Sequence, residues 1–210
     1  EHIMTQSKRR EEVAKVRRES IIDAAERVFF SKGYLNTTVD EIVKEAEYSK
    51  RTVYAYIKSK AEMYDEVALR AYERQHAFIS AAKNDPDPAK ALLEVMRAAI
   101  HFAEEFPGYT SVIVNYHIRL ADSPESIPEV INEWDAKLLG VVEEVIERGI
   151  ALGVFRDIDS RFAATYCASV FMGAVDLVLN KRHYLIKDRG MQPGEFIEQA
   201  MEMLLYSVMK

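Results

Sequence analysis

Eight glycines and six prolines are few for a chain of 210 residues, and they cluster between long segments of helical period. No stretch sustains the alternation of β-branched residues that a sheet requires. Together these two features leave an all-α fold. Ile21, Ala25, Val28 and Phe29 recur at i, i+4, i+7 and i+8, an apolar face for a helix over 12–32 that Gly33 stops. Thr38-Val-Asp-Glu41 and Ser59-Lys-Ala-Glu62 are capping boxes that open helices over 38–46 and 59–83. Ser49 is the N-cap of a short helix over 50–56. Asn84-Asp-Pro-Asp-Pro88 breaks the chain, and Pro88 starts a helix that Pro107-Gly108 ends. An apolar segment over 109–120 follows. Ser126-Ile-Pro-Glu129 is a third capping box, for a helix to about residue 152. Asp159 caps a helix over 160–182, and a last helix ends near residue 208. The expected total is about nine helices, the short ones crowded into the first sixty residues.

Two short helices joined by a tight turn over 38–57 make a helix-turn-helix, locked by Val39, Ile42, Val43, Ala46 and Val53. The second helix then exposes Lys50, Arg51 and Tyr54, with Thr52 and Tyr56 beside them. Cations and hydroxyls near a helix N-terminus reach phosphates, and an exposed helix face reaches base edges. The charge distribution agrees. The whole chain is acidic, with a net charge of -6. Residues 1–60 carry 13 Lys and Arg against 10 Asp and Glu, whereas residues 61–210 carry 15 against 24. The acidity therefore belongs to the second part, and a single small basic surface suffices for nucleic acid.

Phe30-x-x-Gly33-Tyr34-x-x-Thr37-Thr38-Val39-x-x-Ile42, followed by Ser49-Lys50-x-Thr52-Val53-Tyr54-x-Tyr56-Ile57-x-x-Lys60, resembles the TetR/AcrR family of transcriptional regulators. The motif-level resemblance covers about residues 21–67. It implies a three-helix DNA-binding domain over residues 1–59. It also implies a larger helical effector-binding and dimerisation domain over 60–210, and a homodimer whose operator DNA is released by a small-molecule effector. It implies further that Thr38 holds a phosphate while capping its helix and that Tyr56 and Lys60 contact phosphates. Lys50, Arg51, Thr52 and Tyr54 would sit in or beside the major groove, and Ser49, at the start of their helix, is a further DNA-binding candidate. Two departures stand out: Glu47 replaces the usual turn glycine, and Ile57 replaces the usual phenylalanine.

Small residues in 160–182, such as Ala163, Ala168, Ser169 and Gly173, alternate with Phe162, Tyr166 and Phe171 and permit close helix approach. By the resemblance this helix and the last one, with Phe196, Ala200, Met203, Leu204 and Ser207, pair with their symmetry mates. An effector pocket would lie among the remaining long helices. Its candidate lining is Phe102, Tyr109, Ile113, Tyr116 and His117, with Trp134, Leu138, Phe171, Met172 and Asp176. Each also fits ordinary core packing. A mostly apolar lining suits a hydrophobic or amphipathic molecule.

A di-iron helical-bundle enzyme is the alternative. Glu73-Arg-Gln-His76 has the Glu-x-x-His spacing, but such sites need two copies, and no other histidine has a glutamate three residues before it. No phosphate-binding glycine loop or nucleophile elbow is present. The chain is therefore expected to be no enzyme and to need no cofactor. The lone Cys167 excludes an intramolecular disulfide and suits a reducing cytoplasm. No apolar run approaches a membrane span, and the N-terminus has no signal-peptide core, so no membrane partner is expected.

Overall fold

The computed structural model describes residues 6–121 and 127–210. It holds α1 (Gln6–Lys32), α2 (Val39–Glu45), α3 (Lys50–Tyr56), α4 (Lys60–Ala82), α5 (Pro88–Glu105) and α6 (Pro107–Val114). A 3-10 segment (Tyr116–Ala121) follows, then α7 (Glu129–Ala151), α8 (Ser160–Asn180), α9 (Arg182–Lys187) and α10 (Pro193–Val208). No strand forms among the described residues; an isolated bridge pairs Phe155 with Met209. The fold is all-α, with one helix more than expected. The addition, α9, has no side-chain cap and is anchored by buried Leu185. Its short span carries too little periodicity to be seen in the sequence. Ser126 of the third capping box lies outside the described residues.

The helices fall into two compact units, Glu1–Ala71 with Gly108–Ile131, and Tyr72–Pro107 with Asn132–Lys210. In the first, α1 packs on α2 and α3. It begins at Gln6 rather than near residue 12, because residues 6–12 are good helix formers that are polar on every side and show no apolar stripe. Ile21, Ala24, Ala25, Ile42, Val53 and Ile57 are fully buried in the first unit. The Tyr64 ring meets Phe29 edge-on at 5.0 Å, Tyr34 at 4.8 Å and Tyr116 in a stack at 6.0 Å. Gly108 lies under the Phe30 ring, where an added Cβ would stand 2.5 Å from ring carbons.

Polar straps complete this unit. Asp65 on α4 accepts hydrogen bonds from Arg119 Nε at 2.5 Å and Nη2 at 2.7 Å, and from the Tyr116 hydroxyl at 2.5 Å. Arg119 is only 4% exposed, so the pair is a buried one. Arg70 on α4 reaches Glu19 at 2.6 Å, Asp23 at 2.8 Å and Glu26 at 3.1 Å, three carboxylates of α1. Glu26 also accepts from the Tyr109 hydroxyl at 2.8 Å.

In the second unit α10 packs on α8 and α5 around Leu92, Val95, Ile146, Phe171, Met201 and Leu204. The Phe155 ring lies over Gly149, which has no room for a Cβ. Cys167 is buried in this core, and burial pushes its thiol up to about 11, so it stays neutral and structural. By length and composition α8 is apolar enough to cross a membrane, with a mean hydropathy of 1.7 and a third of it buried. Arg161, Thr165, Ser169 and Asp176 interrupt the apolar run and hide this property from a search for an unbroken stretch.

Replacing Asp65 by Ala strands Arg119 in a buried site. Stability should fall by about 3–5 kcal/mol, read from chemical denaturation. A loss below about 1 kcal/mol would show that water already reaches the pair.

Candidate nucleic-acid interface

Local chemistry sets the two short helices. Thr38 Oγ1 accepts from the Glu41 N–H at 3.3 Å, and Glu41 Oε2 accepts from the Thr38 N–H at 2.9 Å, a complete capping box. The Lys32 ammonium pairs with Glu41 as well. That ammonium first, and then the Thr38 N–H, lower the Glu41 carboxyl to about 2. The box therefore keeps its charge at all but strongly acid pH. The turn after α2 passes through Glu47 at φ 57°, the left-handed conformation that favours glycine. Ser49 Oγ then accepts from the Thr52 N–H at 3.1 Å and caps α3.

Val53 and Ile57 are fully buried and fix the roll of α3. Its other face presents Lys50, Arg51 and Tyr54, all exposed, with Ser49 at the helix start. Lys50 Nζ is 2.7 Å from Asp40 of α2. Thr38 and Thr52 spend their hydroxyls locally, on Glu41 Oε2 at 3.1 Å and with Ser49 Oγ at 2.8 Å. Tyr56 lies half-buried on the flank towards α1, where its hydroxyl accepts from Arg17 Nη1 at 3.5 Å. Lys60 donates to the Tyr34 carbonyl at 3.3 Å and lies 4.2 Å from the Tyr34 ring centre. Of the eight residues named from the sequence, Ser49, Lys50, Arg51 and Tyr54 form one exposed group. Thr38, Thr52, Tyr56 and Lys60 frame it, each engaged with a neighbour. Arg17 and Asp40 were passed over. Their pairing with Tyr56 and Lys50 is tertiary, and no local spacing announces it.

A seven-residue helix with cations at its start and a capped, buried back is shaped to enter a groove about 12 Å wide. Residues 21–67 match the bacterial regulatory proteins of the tetR family. Over that segment the chain is similar to the DNA-binding region of the TetR family. It is 24% identical to the uncharacterized HTH-type transcriptional regulator YhgD of Bacillus subtilis, over 76% of this chain and 82% of that one. It is 26% identical to the HTH-type transcriptional repressor NicS of Pseudomonas putida, over 67% of this chain and 66% of that one. Its fold resembles that of a tetR-family regulator from a Shewanella species, with a TM-score of 0.69, 17% identity, and 92% and 98% of the two chains covered. The di-iron alternative finds no support among these regulators. His76 of the lone Glu-x-x-His instead packs edge-on against Trp134, ring centres 5.6 Å apart. Among the described residues no group of three or more His, Cys, Asp or Glu is placed to hold a metal ion.

The ten residues named for effector contact are divided between the two units. In the first, Tyr109 is tied to Glu26, Tyr116 to Asp65, and Ile113 is half-buried. The His117 side chain lies outside the described ones. In the second, Phe102 is fully buried in an aromatic layer with Phe78 at 5.6 Å and Phe106 at 5.3 Å. Trp134 is half-buried, with Lys137 Nζ 4.1 Å from its ring centre. Leu138 borders the core, Phe171 is inside it, and Met172 is half-buried. Asp176, half-buried, accepts from Asn180 Nδ2 at 2.7 Å. None of the ten lines the cavity of about 200 Å³ that this unit holds. That cavity is walled by Ile100, Ala103, Val175, Val178 and Ile197, with Glu104 and Arg182 as its charged groups.

Glu47 holds a left-handed backbone without a side-chain reason to do so. Glu47→Gly should raise stability by about 1 kcal/mol, measured by urea unfolding. A destabilised glycine variant would mean that the Glu47 side chain supports the turn.

Proposed function

We propose that this chain is a homodimeric, ligand-responsive repressor that acts in the cytoplasm on a palindromic operator and carries out no enzymatic step. On this reading residues 1–59 bind DNA, and residues 60–210 bind the effector and the second protomer. The observation that carries it is the exposed Lys50, Arg51 and Tyr54 face on a capped helix whose back is sealed by Val53 and Ile57. Arg51 and Tyr54 read bases. Thr38, Ser49, Thr52, Tyr56 and Lys60 position the helix on phosphates, and Lys50 exchanges Asp40 for DNA. NicS is a transcriptional repressor, which supports repression here.

The effector is a small hydrophobic or amphipathic molecule. The apolar walls of the second unit's cavity favour such a ligand, and Arg182 and Glu104 offer it a polar end. Phe102, Trp134, Leu138, Phe171, Met172 and Asp176 stand outside that cavity's wall and are kept as candidates for effector contact on their chemistry alone, aromatic and aliphatic faces with one carboxylate. Tyr109, Ile113, Tyr116 and His117 are kept as candidates beside the first unit's polar straps.

Dimerisation rests on α8 and α10. Phe162 at 68%, Met203 at 74% and Tyr206 at 71% are far more exposed than their chemistry favours, and Tyr166 and Val170 extend the surface along α8. Gly173 lies on the same face of α8 with open space beyond it. A second copy of the chain, bringing the same two helices, covers both surfaces at once. Ala168 is half-buried and stands about 140° round the helix from Gly173, so it lies away from this face.

Selection from random duplexes should return an inverted repeat whose half-sites lie about 34 Å, or a multiple, apart. Arg51→Ala should change which bases are preferred. Lys60→Ala should instead weaken all sequences alike and lower the salt slope by roughly 1 for each phosphate left without its cation. Recovery of no enriched sequence would sink the proposal. Gly173→Glu tests the dimer without harming the protomer, since nothing stands within 4 Å of the new Cβ. A buried, unpaired carboxylate should convert the protein to monomer in sedimentation velocity at unchanged helicity. A variant that remains fully dimeric moves the interface elsewhere.

A further inference from the structure

The basic surface of the first unit does not end at α3. Helix α1 starts at Gln6, and its first four turns carry Lys8, Arg9, Arg10, Lys15, Arg17 and Arg18. At 100° per residue these cations separate into faces. Arg10 and Arg17, seven residues apart, fall within about 20° of each other, with Val13 between them. Arg18 turns aside to α4, where it pairs with Glu66 at 2.7 Å and Glu62 at 3.5 Å. Lys8 and Lys15 fall on the opposite side of α1, and Glu11 and Glu12 stand about 100° or more from the Arg10–Arg17 line. The line is thus free of acids along its own face.

Arg17 fixes where this line points, because its guanidinium donates to the Tyr56 hydroxyl on the flank of α3. Arg10, Val13 and Arg17 are exposed, Val13 at 45%. The two residues stand about 10.5 Å apart along the helix axis, a rise that matches about three phosphates of one DNA strand measured along the duplex axis. Between them, the Val13 methyls suit the apolar edge of a sugar. We propose that Arg10 and Arg17 form a second phosphate-binding stripe that carries each protomer's footprint beyond the half-site read by α3. The inference rests on the DNA-binding reading above and adds to it an interaction that recognition by α3 alone does not need.

The test uses the full-length protein and an operator selected from random duplexes, prepared as the bare palindrome and with about ten extra base pairs on each side. Salt slopes are measured by fluorescence anisotropy. Wild type should show a steeper slope on the long duplex. Arg10→Ala with Arg17→Ala should remove the difference, a drop of about 3.6 for the four phosphates that each dimer then leaves unneutralised. Arg10→Ala alone, which leaves the Arg17–Tyr56 contact intact, should remove about half. Lys8→Ala with Lys15→Ala removes the same charge from the opposite face and should change neither slope. Equal wild-type slopes on the two duplexes overturn the stripe, as does an Arg10→Ala protein with the full slope. An equal loss in the lysine pair also overturns it, in favour of diffuse charge. A wild-type protein that selects no operator overturns the regulator reading itself, whereas these outcomes leave specific binding intact.

Discussion

A helix of seven residues does not hold itself together in water. Nucleation fixes several residues for each hydrogen bond gained, and isolated helices shorter than about 12 residues are marginal. The surface proposed to read DNA is such a helix. Everything it does depends on burying Val53 and Ile57 completely and on the Ser49 hydroxyl at its start. The buried pair sets the roll of α3 and hence which side chains face outward, while the cap sets where the helix begins. Ile57, in place of a larger phenylalanine, still fills its site with no exposure.

The same unit is tied further along the chain by polar groups rather than by more apolar surface. Asp65 collects Arg119 and Tyr116, and Arg70 collects three carboxylates of α1. Buried ionic groups add little net stability over apolar packing, yet breaking one partner is costly. Such straps therefore specify an arrangement more than they strengthen it. They join the 3-10 segment and α1 to the first half of α4, so a change at Tyr116 or Arg119 is felt at once on α4. In an effector-responsive protein that is a useful property, because a specified arrangement can be exchanged for another by a modest difference in binding energy.

The local parts of this protein were legible in its sequence. Capping boxes, proline starts and glycine stops fixed most helix positions, and Glu47 stood out as a residue in a glycine's place before its φ of 57° was known. Tertiary choices were less legible. The small residues of α8 read as one close-packed surface, but Ala163, Ala164 and Ala174 face the core of their own unit while Gly173 and Ser169 face outward. An apolar helix with two apolar sides shows no moment to separate them. The effector candidates met the same obstacle: Tyr109 and Tyr116 are aromatic, as a pocket lining would be, but their hydroxyls are committed to Glu26 and Asp65. Composition marks a side chain as buried and does not say what it is buried against.

Charge counting met a related limit. The first sixty residues carry a small excess of cations, but many of those cations are already spent. Lys32 is held by Glu41, Lys50 by Asp40, Arg27 by Glu45 and Arg18 by Glu66. Each pair near the surface is weak, so a phosphate can displace the carboxylate at little cost, but the displaced acid then stands close to the DNA and takes back part of the gain. Arg51 and Lys58 have no acidic partner among the described residues and bring their full charge to the encounter. The field proposed to meet DNA is therefore weaker than the sequence count, and it runs from the exposed side of α3 to the Arg10–Arg17 stripe of α1. An acidic protein needs such an arrangement: a surface basic only where it fits the duplex discourages binding everywhere else.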